Sequence, residues 1–168
     1  MSSRRAAHRV VVLVVGVVVA ACGASGATPN PTILGSDFSA RALAVCGDMV
    51  AMKQSQGAFP FPDFNPTKPD PAVLAQLPPI LEKTATRYAS WSVAMKALGQ
   101  PAGGQAAWTS LIAAIDRHGD LNHDQIDAAA KGDAARFADD YARGVETTAA
   151  LLKAATDAGI PDCAKVDH

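Results

Sequence analysis

Residues 79–98 read PILEKTATRYASWSVAMKAL. Leu81, Thr84, Ala85, Tyr88, Trp91, Ser92, Met95 and Leu98 recur at spacings of three and four. Apolar and small residues at that period form one face of an α-helix, so the spacing predicts a long helix that buries this face. Gly99 supplies its stop, since glycine accepts the left-handed conformation that ends helices.

The pattern extends in both directions. Downstream, a helix is expected over about 104–117, with Trp108, Leu111, Ile112 and Ile115 inward and Gly119-Asp120 as its end. A short helix is expected over about 122–131. Gly132-Asp133 then breaks and recaps the chain. The last long helix runs to about Ala158 with the stripe Phe137, Tyr141, Val145, Thr148, Leu151, Leu152 and Ala155, and Gly159 and Pro161 end it. Upstream, residues 57–71 (GAFPFPDFNPTKPDP) hold five prolines, a density that no helix or central strand tolerates. A short helical turn is expected after Asp70-Pro71, interrupted by Leu77-Pro78-Pro79. Ser36 or Asp37 caps a first helix reaching about Lys53 or Gln54, with Phe38, Ala42, Val45, Cys46, Met49 and Val50 on one stripe. Period-two alternation is missing after residue 22. The expected fold is therefore all-α: an antiparallel four-helix-type bundle over residues 36–168.

The chain begins with Arg4, Arg5 and Arg9, followed by apolar residues from Val10 to Ala21 and then Cys22. A basic start, a short apolar run and small residues make a secretory signal. The run is well short of the about 20 residues that span a bilayer. Arg4-Arg5 is not followed by the apolar residues and lysine of a twin-arginine signal, which favours the general secretory route. Val19-Ala20-Ala21-Cys22 resembles the lipobox of bacterial lipoproteins: an aliphatic residue, two small residues, then cysteine. The resemblance implies a signal peptide at 1–21, diacylglycerol on the Cys22 sulfur and an acyl chain such as palmitate on the new N-terminus. It places the protein on the outer face of the cell membrane. Residues 22–35, rich in glycine, proline and small side chains, then read as a flexible tether.

With Cys22 lipidated, Cys46 and Cys163 remain, one near each end of the folded region. An exported compartment permits a disulfide between them. A redox pair is the sharper alternative, but no Cys-x-x-Cys is present. All sixteen acidic residues follow Cys22, with twelve basic ones, for a net charge near −4. That charge argues against a nucleic-acid partner and against a polybasic membrane patch.

The layout also resembles a broad group of small exported actinobacterial helical proteins. The matching pieces are Cys46 on the first helix, Leu77-Pro78-Pro79, the AAAKGD of Ala128 to Asp133, and the GIPDC of Gly159 to Cys163. The resemblance implies fold and location, and no activity.

Candidate chemistry centres on residues 116–127, DRHGDLNHDQID. Laid on an EF-hand calcium loop, the stretch places Asp116, His118, Asp120, Asn122, Asp124 and Asp127 at ligand positions. It lacks the glycine at the sixth place and the bidentate glutamate at the twelfth. Asp116, His118, Asp120, His123 and Asp124 are the candidate ligands for calcium or a transition metal. The competing reading is a polar helix–helix loop with aspartate caps. Phe59, Phe61 and Phe64 either seal one end of the bundle or form a docking surface. Tyr88, Trp91 and Trp108 are candidates for lining a ligand cavity, or for plain core. Asp139-Asp140 reads as a solvated face. There is no Gly-x-Ser-x-Gly elbow, no phosphate loop, no haem-attachment motif and no repeated Glu-x-x-His. The expected protein is a membrane-anchored, non-enzymatic binding or assembly module with an envelope protein as partner and no cofactor. The alternative is a small-ligand or metal binder.

Overall fold

A computed structural model describes residues 34–167. The expected leader, Cys22 and the tether up to residue 33 lie outside the described residues. Four long helices carry the fold: α1 (Ser36–Ser55), α3 (Pro78–Ala97), α4 (Gln105–Ala130) and α5 (Ala134–Asp157). A single turn, α2 (Pro71–Leu74), precedes α3, and a 3₁₀ helix (Pro161–Val166) follows α5. Among the described residues there is no strand, and the all-α bundle expected from the sequence is the fold.

Short links make neighbours of α3, α4 and α5, while the long proline-rich segment and α2 return the chain from α1 to α3. α1 packs on α3, α3 on α4 and α4 on α5, and the terminal 3₁₀ helix lies against both α1 and α5. The AAAKGD and GIPDC segments have a common physical basis. After α4, the Gly132 N–H reaches the Ala129 carbonyl and the Asp133 N–H the Ala128 carbonyl. After α5, Gly159 and Ile160 bond Thr156 and Ala155 in the same way. Both are Schellman caps, and both glycines sit at positive φ, 68° and 76°. Asp133 then starts α5 by accepting a hydrogen bond from the Arg136 N–H at 3.0 Å. Asp70 caps α2 by accepting from Ala72 at 2.8 Å, with Pro71 in the first helical position.

The main core joins α1, α3 and α4 through Phe38, Met49, Tyr88, Trp91, Trp108 and Ile115. The Cys46–Cys163 disulfide, Cα–Cα 5.1 Å, ties the terminal helix to α1 within this core. A smaller cluster of Leu74, Leu77, Ala128, Ala129 and Phe137 closes the other end, with Phe61 and Phe64 packed against it.

Three expectations are corrected. α4 does not stop at Gly119-Asp120 but runs unbroken over the span expected to hold two helices and a loop. Its inward stripe continues past Ile115 through half-buried His118 and buried Asn122, polar residues that hide the periodicity. On α5, Tyr141, Val145 and Leu152 are exposed, because α4 and the terminal helix, its main neighbours, do not cover that side. Asp140 is buried and not solvated, and it accepts from Arg143 at 2.8 Å.

Candidate functional site

The five candidate metal ligands lie along one helix, where residues project around the axis and cannot wrap an ion as a loop does. Asp116 accepts from Ser92 at 2.5 Å and pairs with Lys96 at 2.9 Å. Burial pushes its pKa up, but the bonds from Ser92 and Lys96 and the lysine charge outweigh this and hold it below the usual carboxylate range. Asp124 faces Arg136 at 3.5 Å and Arg143 at 3.8 Å. Asp127 pairs with Lys131 and Arg136, each at 2.7 Å. Asp120 and His123 are exposed, and His118 turns inward. Among the described residues no three His, Cys, Asp or Glu side chains are grouped to hold a metal ion. Of the three candidate carboxylates, Asp116 is engaged by Lys96, and Asp124 lies beside Arg136 and Arg143.

The aromatic candidates divide. Tyr88, Trp91 and Trp108 are fully buried core. Trp108 meets Phe38 edge to face at 4.8 Å, and its indole N–H donates to the Gly99 carbonyl at 3.1 Å. Phe64 packs on Phe137 at 5.9 Å, so the proline-rich loop seals the bundle end. Phe59 meets Phe61 edge to face at 5.7 Å and Phe64 at a tilt at 5.8 Å, yet remains 46% exposed.

The structure gathers a polar cluster that sequence reasoning missed. Its hub is Asp167, just beyond the terminal helix. Tyr88 on α3 donates its hydroxyl to the Asp167 carboxylate, and Lys53 on α1 donates to the Asp167 backbone carbonyl at 2.9 Å. His118 on α4 brings Nε2 within 3.5 Å of the same carboxylate and stacks flat on Tyr88, centroids 4.4 Å apart. Thr147 on α5 donates to the Gly144 carbonyl at 2.9 Å and lies 3.2 Å from His118 Nδ1.

Electrostatics fix the roles. Burial pushes the His118 pKa below its ordinary value, and nearby Arg87 adds to this, against the opposing pull of Asp167. His118 is thus neutral at pH 7, and its approach to Asp167 is no ion pair under those conditions. Burial first, then the Asp167 charge, drives the Tyr88 hydroxyl far above its usual range, so it remains a donor. The cluster is a latch that binds the chain end to α1, α3 and α4.

Arg87 lies behind the latch. It is 6% exposed, donates Nη1 to Gln56 Oε1 at 2.5 Å, and leaves its buried Nε without a hydrogen-bond partner. It lines a cavity of about 430 Å³ between α1, α3 and the start of the proline-rich loop, together with Lys53 and Lys83. The sequence signals for these residues were faint. Arg87 adjoins the helical stripe at Tyr88, and His118 lies three residues past Ile115, on the inward face.

No protein-family description, curated protein or solved structure matches this chain.

Proposed function

We propose that the protein is an exported lipoprotein, anchored through Cys22 to the outer face of the cell membrane, that acts there by binding and not by catalysis. The lipobox Val19-Ala20-Ala21-Cys22 carries the reading. The buried Cys46–Cys163 disulfide agrees with it, since such bonds persist in oxidising compartments and are rare in the cytosol. Two acyl chains hold a protein stably at a bilayer where one does not. His118 and Tyr88 are engaged in the latch, His118 neutral and Tyr88 a fixed donor. A stapled bundle on a tether would present a rigid surface to an envelope component, and the cationic cavity also supports a small-ligand role.

Labelling with an alkyne fatty acid in a bacterial host that processes lipoproteins tests the anchor. The wild-type chain takes up label and loses residues 1–21, and the Cys22→Ala variant does neither. An unlabelled wild-type chain, or label retained in Cys22→Ala, overturns the reading.

A further inference from the structure

We propose that the cavity between α1, α3 and residues 57–60 is a binding site for a phosphate monoester carrying an apolar group. Three cations, Lys53, Lys83 and Arg87, line it, and none of its lining residues is acidic. The Asp167 carboxylate acts on both Lys53 and Arg87, but it takes the Tyr88 hydroxyl, and Lys53 donates to the Asp167 backbone carbonyl and not to the carboxylate. Positive charge therefore exceeds negative charge at this site.

Arg87 is the most buried of the three cations, and its Nε has no hydrogen-bond partner. Gln56 holds one arm of the fork, accepting from Arg87 while donating to the Lys83 carbonyl at 3.0 Å, so the group is fixed in advance of binding. Burial lowers the pKa of both Lys53 and Arg87, and for Lys53 the Arg87 charge lowers it further. An anion between them would relieve that repulsion. Several oxygens and more than one charge suit a phosphate better than a lone carboxylate. Phe59, Pro60 and Ile80 supply the apolar wall. Phe59, nearly half exposed, gains cover if an acyl or aryl arm lies against it. The volume falls within the range of small-molecule sites.

The same chemistry occurs in a phospholipid headgroup and in a free phosphate ester. The site does not depend on lipidation, so failure here leaves the anchor reading standing, and failure of the anchor leaves the site. Isothermal titration of the full-length protein in a non-ionic detergent would use four probes: dihexanoylphosphatidic acid, dihexanoylphosphatidylcholine, glycerol 3-phosphate and inorganic phosphate. The phosphatidic acid is expected to bind at least about tenfold more tightly than the phosphatidylcholine. Exposed Lys83 can be changed without disturbing the core, and Lys83→Ala should weaken binding about tenfold. Arg87→Met should abolish it. Phe59→Ser separates the sources. If it weakens the phosphatidic acid but not glycerol 3-phosphate, the ligand is a lipid headgroup. If all three phosphates bind alike, the apolar wall has no part and the proposal of an apolar ester is overturned, leaving an anion site alone. The proposal is overturned if no phosphate binds, if phosphatidylcholine binds as well, or if Lys83→Ala leaves affinity unchanged.

Discussion

Asp167 joins three helices through one residue, since Tyr88, His118 and Lys53 all converge on it. The groups around His118 are Tyr88 and Arg87 from α3, Thr147 from α5 and Asp167 from the terminus, with Lys53 of α1 held by the same aspartate. Because its folded pKa lies below 6.5, the unfolded chain takes up a proton there before the folded chain does. Stability from this group is complete above pH 6.5 and falls as pH drops below that value. The folded carboxylate of Asp116, held below 3.8, contributes a separate loss at lower pH. Urea midpoints at about pH 7.5 and about pH 5.5 should therefore differ for the wild-type chain, and His118→Gln should reduce the difference. An equal drop in the variant would assign the pH dependence to other groups. None of this was legible in the sequence, where Asp167 is one acidic residue among sixteen. A hub assembled from four helices and the chain end has no local spacing by which to recognise it.

α4 makes the same point at the scale of an element. The sequence reads DRHGDLNHDQID as a break because glycine, aspartate and asparagine favour turns and caps. Tertiary packing overrides that preference: Leu121 and Asn122 are buried, and Asn122 donates back to the His118 carbonyl at 2.8 Å within the helix. Gly119 thus sits inside a helix, and a Cβ added there would meet only Tyr88 Cβ, at an ordinary 3.6 Å. Gly119→Ala should stabilise the protein by about 0.5–1 kcal/mol, raising the thermal midpoint by a few degrees. A loop at this point would gain nothing of the kind, so a destabilised variant would contradict the continuous helix. Elements with a plain apolar period were readable. On α1 and α3, Phe38, Ala42, Cys46, Met49, Tyr88, Trp91 and Met95 are buried as their spacing requires. α5 was readable only in part: the apolar stripe is wider than the face its neighbours cover, and this leaves Val145 58% exposed. Periodicity reports which residues could be buried, and the number of neighbouring helices decides which are.

At the scale of the whole molecule, two fastenings act on the same few residues. The Cys46–Cys163 bond closes a loop of sequence separation 117, and Asp167 latches the chain four residues further on. By the chain-entropy argument, a cross-link over so long a loop adds about 4–5 kcal/mol, chiefly by restricting the unfolded chain. The latch acts instead on the folded state, seating the terminal 3₁₀ helix between α1 and α5. The two contributions can therefore be separated. A chain carrying both Cys46→Ala and Cys163→Ala should retain its helical circular-dichroism signal, because α3, α4 and α5 pack on one another without the bond. Its urea unfolding free energy should fall by about 3–5 kcal/mol. Adding Tyr88→Phe to that chain, which removes the donor to Asp167, should then speed amide exchange at residues 161–167 more than it does in the disulfide-bonded protein. The reason is that the terminal helix, once freed from Cys46, relies on the latch and on burial of Ile160 and Val166 alone. A loss below about 1 kcal/mol in the double-cysteine variant would mean that the latch and this apolar contact already confine the chain end, leaving the disulfide little to restrict.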